Sequence, residues 1–206
     1  MIKPILFNTQ MVQAILEGRK TTTRRIIKVN NSLEFMGFKD GKALFGKGCC
    51  IHETIKPPYM PGDILYVRET WAKICDVCDR ECIGCNKKYA YKADGNYTEE
   101  DKWKPSIHMP KDATRIFLKI TSVKIERLKD ITHRGVIDEG TPYDEEMFKF
   151  NICLGQDKAE FFLKSSFKDL WNSTVNKKDI EKYGWNANPY VWVIEFELIE
   201  KSEVEQ

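Results

Sequence analysis

The stretch at residues 18–25 constrains this chain most, because it joins a helical pattern to an extended one. It places four cations and three hydroxyls in eight consecutive positions. Gly18 suits a helix end, since glycine adopts positive φ without strain. Thr21, Thr22 and Thr23 are β-branched and favour extended backbone. The sequence therefore predicts a helix that ends near Gly18 and a strand that follows it.

Alternation along that strand divides the basic stretch between two faces. The two expected sets are Thr21, Thr23 and Arg25 on one face, and Lys20, Thr22 and Arg24 on the other. Charged Arg and Lys donors beside short hydroxyls suit a phosphate or another anion, and Arg19 adds a further cation. A solvated basic turn is the competing interpretation, since charged residues usually face water.

Length and charge limit the class of protein. A chain of 206 residues with 42% apolar residues can bury the core of one domain with insertions. Its formal net charge is only +2, so affinity for nucleic acid must come from a local patch. The chain starts without a signal-peptide pattern, and no apolar run approaches the roughly 20 residues of a membrane span. The sequence predicts a soluble cytoplasmic protein that does not bind membranes.

Hydrophobic patterning predicts one α+β domain over residues 1–206. Its core is a small, mostly antiparallel β-barrel with helices in the connections. Insertions are expected at about residues 30–60 and 73–88. The main predicted elements are helices at 8–17, 130–140 and 159–171, a hairpin around 39–42, and strands at 64–69, 114–126 and 190–199.

Four cysteines predict a structural zinc site within the second insertion. Cys75, Cys78, Cys82 and Cys85 form two Cys-x-x-Cys pairs, and two such pairs complete a tetrahedral site. An iron–sulfur cluster and free apolar thiols are the alternatives. The chain has seven cysteines in all, and an odd number in a cytoplasmic protein argues against a disulfide framework. The three others are expected in the core or on loops: Cys49, Cys50 and Cys153.

Several blocks taken together resemble the ASCH domain, a member of the PUA-like superfamily. The blocks are ILEGRKT at 15–21 leading to Thr23 and Arg25, PGDILYV at 61–67, DIT at 130–132 with EG at 139–140, and VWVIEF at 191–196. The longer form of this chain is similar to ASCH-like proteins of bacteriophages and prophages. That similarity rests on RETW at 68–71, YKADG at 91–95, WKPSIHMP at 103–110 and WNANP at 185–189.

The resemblance implies a PUA-like barrel whose cleft binds RNA or a modified pyrimidine nucleoside or nucleotide. Some small ASCH proteins are similar to amidohydrolases that deacetylate acetylated cytidine with a Lys, a Thr and a Glu. Carried onto this sequence, those working residues are Lys20, Thr23 and Glu139. Other ASCH proteins bind or cleave RNA. Arg24 replaces an apolar residue of the small enzymes, and a phage-encoded chain would act in the host cytoplasm.

The chemistry of these residues supports either catalysis or binding. A Thr23 hydroxyl needs a neighbouring base, and Lys20 can serve when desolvated and crowded by other cations. Glu139 would act as the general acid or base, or orient Lys20, while the cations stabilise an oxyanion. The competing interpretations are phosphate binding without chemistry, and a surface carboxylate at a helix end for Glu139.

Four further residues are candidate ligand contacts at the rim of the barrel. Arg68 and Glu69 end a predicted strand, although a salt bridge from Glu69 to Arg25 or Arg115 is the alternative. Trp71 and Trp103 are expected to stack on unpaired bases or to pack on the barrel. The first hypothesis is thus an RNA- or nucleoside-binding protein. The second is a hydrolase, either an amidohydrolase or a ribonuclease, and the third is a phage-type protein-interaction module that uses the zinc knuckle.

Overall fold

A computed structural model describes residues 1–73, 89–95 and 102–204. These residues form ten strands and five α-helices. The strands are β1 (Ile2–Leu6), β2 (Thr22–Ile26), β3 (Glu34–Lys39), β4 (Lys42–Lys47), β5 (Cys50–Ile55), β6 (Ile64–Arg68), β7 (Trp71–Lys73), β8 (Tyr89–Tyr91), β9 (Phe117–Arg127) and β10 (Tyr190–Ile199). The helices are α1 (Thr9–Leu16), α2 (His133–Asp138), α3 (Glu145–Leu154), α4 (Gln156–Thr174) and α5 (Ile180–Tyr183).

The predicted α+β class with mostly antiparallel sheets is confirmed, but the predicted barrel is not. Among the described strands, β1 pairs only with β6 and β2 pairs only with β10, so each keeps one edge without a strand partner. A barrel requires every edge to be paired. The sheets of the described residues are therefore open.

The chain divides into two compact units. Unit 1 contains the described residues of Met1–Gly18, Gly62–Lys119 and Glu197–Gln206, and unit 2 contains Arg19–Pro61 and Ile120–Phe196. In unit 1, β1 runs parallel to β6, and β6 runs antiparallel to the start of β9. The predicted first helix is present as α1, capped by Asn8, whose side chain accepts a hydrogen bond from the Met11 amide at 2.8 Å. Gly18 follows this helix with a φ of 72°.

Unit 2 holds the strand that the basic stretch predicts. This strand, β2, pairs antiparallel with β10, and β3, β4 and β5 form a second antiparallel sheet. Asp40 and Gly41 both have positive φ between β3 and β4, as a tight hairpin turn requires. The apolar face of α4 buries Leu163, Phe167 and Trp171 in the core of this unit.

Several described elements were not predicted. They include β5 in the expected insertion at 30–60, β7, the short helix α5, and α3, which precedes the predicted second long helix. None of the residues of α3 is fully buried, and Phe148 packs against the core of unit 2 from its partly exposed position. Within the described ranges, no helix combines the length and apolarity needed to cross a membrane.

Candidate functional site

Lys20 is a buried cation whose ammonium group is held by a distant segment. Its side chain has 0% exposure. The Nζ atom donates to the Thr22 carbonyl at 2.7 Å, the Glu139 carbonyl at 2.8 Å and Glu139 Oε2 at 2.8 Å. A backbone bridge pairs Lys20 with Glu139, and the Thr21 amide donates to the Asp138 carbonyl at 2.9 Å. Main-chain pairing therefore fixes the lysine against the end of α2.

Glu139 is shared between two cations. It caps the C-terminal end of α2 and is only 4% exposed, so it is not a surface carboxylate. Its Oε1 atom accepts a hydrogen bond from Arg24 Nη1 at 3.1 Å. The same arginine donates from Nε to Glu126 Oε1 at 2.7 Å. We call Lys20, Arg24, Glu126 and Glu139 the Lys20 cluster.

Burial dominates the electrostatics of this cluster. Desolvation lowers the pKa of Lys20 below its usual value of 10.5, the Glu139 carboxylate opposes that shift, and the nearby Arg25 and Arg24 reinforce it. Burial also lowers the pKa of Arg25, against the influence of Tyr59 and Glu139. A lysine in such surroundings loses its proton at a lower pH than a solvated lysine does.

Thr23 lies near the cluster in sequence but is not bonded to it. The residue is 3% exposed and pairs with Ile194 of β10. Strand alternation places its side chain on the opposite face of β2 from Arg24. Among the described residues, no side-chain hydrogen bond joins Thr23 to Lys20 or Glu139. Of the three residues that the resemblance assigns to catalysis, the structure therefore joins Lys20 and Glu139 only.

The remaining basic residues of the stretch differ in exposure. Arg19 and Thr21 are exposed on either side of Lys20, whereas Arg25 is half-buried. Arg19 and Thr21 are therefore the solvent-facing side chains of this part of the stretch.

In unit 1, Glu69 forms the salt bridge with Arg115 that the sequence offered as one alternative. The carboxylate side chain is 1% exposed and accepts from Arg115 Nε at 2.9 Å and Nη2 at 3.0 Å. Arg115 also pairs with Asp94 at 2.7 Å and lies 4.0 Å from the centroid of the Tyr91 ring. Burial raises the pKa of Glu69, and Arg115 opposes that shift. We call these four residues the Glu69 cluster.

The other candidate contacts in unit 1 are engaged within the protein. Arg68 donates from Nε to the Met109 carbonyl at 3.0 Å and from Nη2 to the Ile107 carbonyl. Trp71 is 6% exposed, and its ring packs edge-on against Tyr89 with centroids 5.5 Å apart. Trp103 is half-buried. Trp71 therefore packs within the protein, as one of the two expectations stated, and its ring is not open for stacking on a base.

The cysteines give a mixed outcome. The predicted zinc ligands Cys75, Cys78, Cys82 and Cys85 lie outside the described residues, so the zinc site stays a prediction. Of the two expectations for the other cysteines, the core or a loop, Cys49 agrees with the loop, because it is exposed in the turn before β5. Cys50 and Cys153 are also exposed, but Cys50 begins β5 and Cys153 lies on α3. Among the described residues, no group of three or more His, Cys, Asp or Glu side chains is arranged to hold a metal ion.

Sequence reasoning missed three partners of the candidate residues: Glu126, Asp94 and Tyr91. Glu126 lies on β9 outside every block quoted for the resemblance, whereas Tyr91 and Asp94 lie in YKADG at 91–95, a block that assigns them no role. It also missed a cleft of about 770 Å³ in unit 2, lined by Lys28, Asn31, Lys182, Tyr183 and their neighbours. The lining residues come from segments far apart in the chain, which no local pattern reports.

Comparisons with known proteins add no assignment to this geometry. The chain matches no protein-family model, no curated protein and no solved structure. The site is therefore interpreted from its own residues and contacts.

Proposed function

We propose that the protein is an ASCH-type, PUA-like protein that binds RNA or a modified pyrimidine nucleoside or nucleotide at the Lys20 cluster. One observation carries the proposal. Lys20 and Glu139, which the ASCH resemblance assigns to the working site, are 119 positions apart in the chain and form an ion pair of 2.8 Å. Two residues selected only because they match motif positions would rarely form a direct ion pair.

The burial of the cluster supports a functional role over a purely structural one. Removing charges from water costs several kcal/mol per ion, and well-packed apolar residues often stabilise a protein as well or better. A chain that retains Lys20, Arg24 and Glu139 in the interior gains little stability from them. Fixed, dry charges are instead well suited to orienting a polar ligand, because they need no reorganisation when it binds.

The charge balance favours a nucleoside or a short RNA segment over a highly charged ligand. Three cations (Lys20, Arg24 and Arg25) face two carboxylates (Glu126 and Glu139), which leaves one positive charge in excess. The donors of Lys20 and Arg24 already hold carboxylate and carbonyl oxygens. Arg19 is the exposed cation of the stretch, so phosphate contacts would fall mainly to it. The logarithm of RNA affinity should fall with the logarithm of salt concentration at a slope of about −0.7 per phosphate contact, with only one or two such contacts.

A binding screen with matched variants tests the proposal. Modified pyrimidine nucleosides and short RNAs are titrated against the wild type, Lys20→Met and Glu139→Gln, with the exposed Lys158→Met on α4 as control. Both cluster variants should weaken binding by about tenfold or more, since a charged hydrogen bond contributes about 1.5–3 kcal/mol. The control should bind as the wild type does, and circular dichroism verifies that each variant is folded.

Two results would overturn this assignment. Equal affinities for the wild type and both folded cluster variants would remove the Lys20 cluster from the site. An affinity loss confined to Lys182→Met would move binding to the 770 Å³ cleft that this lysine lines.

The lowered pKa of Lys20 favours an amidohydrolase as the second candidate function. A buried lysine that releases its proton readily is a competent general base, and Glu139 at 2.8 Å orients it. In the first step, the Thr23 hydroxyl would lose its proton to Lys20 and attack the acyl carbonyl of an N-acylated cytidine, which gives an acyl-threonine and releases the nucleoside amine with that proton. Water then hydrolyses the ester to a carboxylic acid and restores the hydroxyl. Because Thr23 and Arg24 lie on opposite faces of β2, this role requires a rearrangement of the strand that brings the hydroxyl toward Lys20.

Chromatography of acetylated cytidine after incubation with the protein tests this second function. Thr23→Val removes the hydroxyl with little change of shape, and the exposed Thr54→Val on β5 is the matched control. Turnover lost in Thr23→Val and kept in Thr54→Val supports the amidohydrolase. Binding without product in the wild type excludes it while leaving the first proposal intact.

A further inference from the structure

The turn between β4 and β5 carries two adjacent, exposed cysteines. The sulfur atoms of Cys49 and Cys50 lie 4.0 Å apart, and both residues are exposed. Cysteine is among the most frequently buried residue types. Two neighbouring thiols at the surface are therefore not explained by core packing.

The backbone of this turn holds the two thiols in a defined position. Gly48 takes a φ of 61° as the chain reverses. A Cβ added at Gly46 would lie 2.1 Å from the Cys50 carbonyl oxygen, so the close approach of β5 requires glycine there. The register pairs Lys47 directly with Cys50. A cation thus stands across the hairpin from the second thiol.

We propose that Cys49 and Cys50 form a two-thiolate site for a soft monovalent cation of the Cu(I) type. Thiolates select soft ions such as Cu(I). A zinc–thiolate bond is about 2.3 Å long, and twice that length exceeds the sulfur separation of 4.0 Å. Both sulfurs can therefore reach one metal ion of similar bond length. On binding, the two thiols release their protons to solvent and no electron is transferred. Two thiolates and one monovalent ion leave a single negative charge, which Lys47 offsets.

The number of ligands argues against zinc at this turn. Zinc in structural sites takes four protein ligands. No described group of three or more His, Cys, Asp or Glu side chains is arranged around one point, so this turn offers two sulfurs only.

A disulfide between the two cysteines is also disfavoured. The Cα atoms of adjacent residues lie about 3.8 Å apart across a trans peptide, and disulfides usually need at least about 4.4 Å.

Alkylation in a Cu(I) buffer tests the proposal on the reduced, full-length chain. Bicinchoninate fixes the free Cu(I) concentration, so the cysteines at 75–85 do not compete for metal. Iodoacetamide labelling is then measured on tryptic peptide 48–68, which contains Cys49 and Cys50, and on peptide 150–158, which contains Cys153. Cys153 is the matched control, because it is exposed and has no cysteine neighbour.

Cu(I) should slow labelling of peptide 48–68 at free concentrations that leave Cys153 fully reactive. Cys49→Ser and Cys50→Ser should each abolish protection of the remaining thiol, since losing one arm of a two-point contact weakens binding by about 100-fold or more. Equal protection of both peptides, or protection that survives either substitution, would overturn the site. Labelling that is lost without Cu(I) and restored by a reductant would show a disulfide instead.

Discussion

The Lys20 cluster of unit 2 and the Glu69 cluster of unit 1 are both buried ion networks, but they differ in which of their charged side chains are buried. In the Glu69 cluster the carboxylate is interior, and its partner Arg115 keeps 27% of its side chain exposed. In the Lys20 cluster the side chains of both Lys20 and Glu139 are interior, with 0% and 5% exposure. In the Glu69 cluster a buried carboxylate is thus paired with a partly exposed cation, whereas in the Lys20 cluster both members of the ion pair are excluded from water.

This difference separates a structural role from a functional one. In the bidentate Arg–carboxylate pair, two charged hydrogen bonds offset the desolvation of Glu69, and Arg115 keeps part of its hydration. The Glu69 cluster is therefore explained by the hydrogen bonds it makes. The Lys20 cluster desolvates both ions, and Arg24 adds a third charge to the same carboxylate. Its cost is high and its structural benefit small. The comparison therefore points to the Lys20 cluster as the place to look for function.

Removing Glu139 should give the largest effect, because it leaves Lys20 and Arg24 buried without their shared carboxylate. We expect Glu139→Leu to lower the free energy of unfolding by about 3–5 kcal/mol, measured by urea denaturation. The double variant Lys20→Met/Glu139→Leu removes both ions and should recover part of that loss. A single-variant cost below about 1 kcal/mol would mean that the cluster is solvated and that the contrast with the Glu69 cluster does not hold.

Arg115→Met should cost less, about 2–3 kcal/mol at neutral pH, because the variant can protonate Glu69 and Arg115 already contacts water. Burial raises the pKa of Glu69 and Arg115 opposes it, so the substitution should raise this pKa further. A raised carboxyl pKa gives stability that is present below the unfolded value and is lost as pH rises through the folded value.

The penalty of Arg115→Met should therefore be smaller at about pH 4.5 than at about pH 7.5. Urea midpoints of the variant and the wild type at both values measure it. A penalty independent of pH would show that Arg115 contributes through packing on Tyr91 and not through the charge of Glu69.

The helices and turns that depend on local sequence were predictable, but the difference in burial between the Lys20 cluster and the Glu69 cluster was not. Residues 18–25 predicted the helix-to-strand junction correctly, and the Asp40–Gly41 turn marked its hairpin, because both depend on backbone preferences of neighbouring residues. The resemblance placed Glu139 with Lys20. Burial depends on what packs over a residue. No pattern therefore distinguished the interior Lys20 from the exposed Arg19, or decided between core and loop for Cys49.

Arg24→Lys keeps the positive charge of the Lys20 cluster and removes the planar, forked guanidinium group. Arg24 reaches Glu126 from Nε and Glu139 from Nη1, and a single ammonium group cannot reproduce both bonds. We expect a loss of about 1–2 kcal/mol in unfolding free energy. The exposed pair of Lys124 and Glu195 supplies the control, since Lys124→Ala should change stability by less than about 1 kcal/mol. Equal losses in the two variants would show that the geometry of Arg24 is not needed.

Tyr91 gives the smallest effect and reports directly on the environment of the Glu69 cluster. Burial raises the pKa of Tyr91 to about 12, although Arg115 opposes the shift. Its hydroxyl donates to the Ala113 carbonyl at 2.7 Å, so Tyr91→Phe should cost only about 1 kcal/mol. Because the folded pKa is raised, the contribution of the phenol is complete below about pH 10 and is lost as pH rises through about 12. The difference in phenolate absorbance between the wild type and Tyr91→Phe measures this titration. A midpoint near pH 10 would mean that the Tyr91 ring is solvated. Arg115 would then not shield Tyr91 and Glu69 from water.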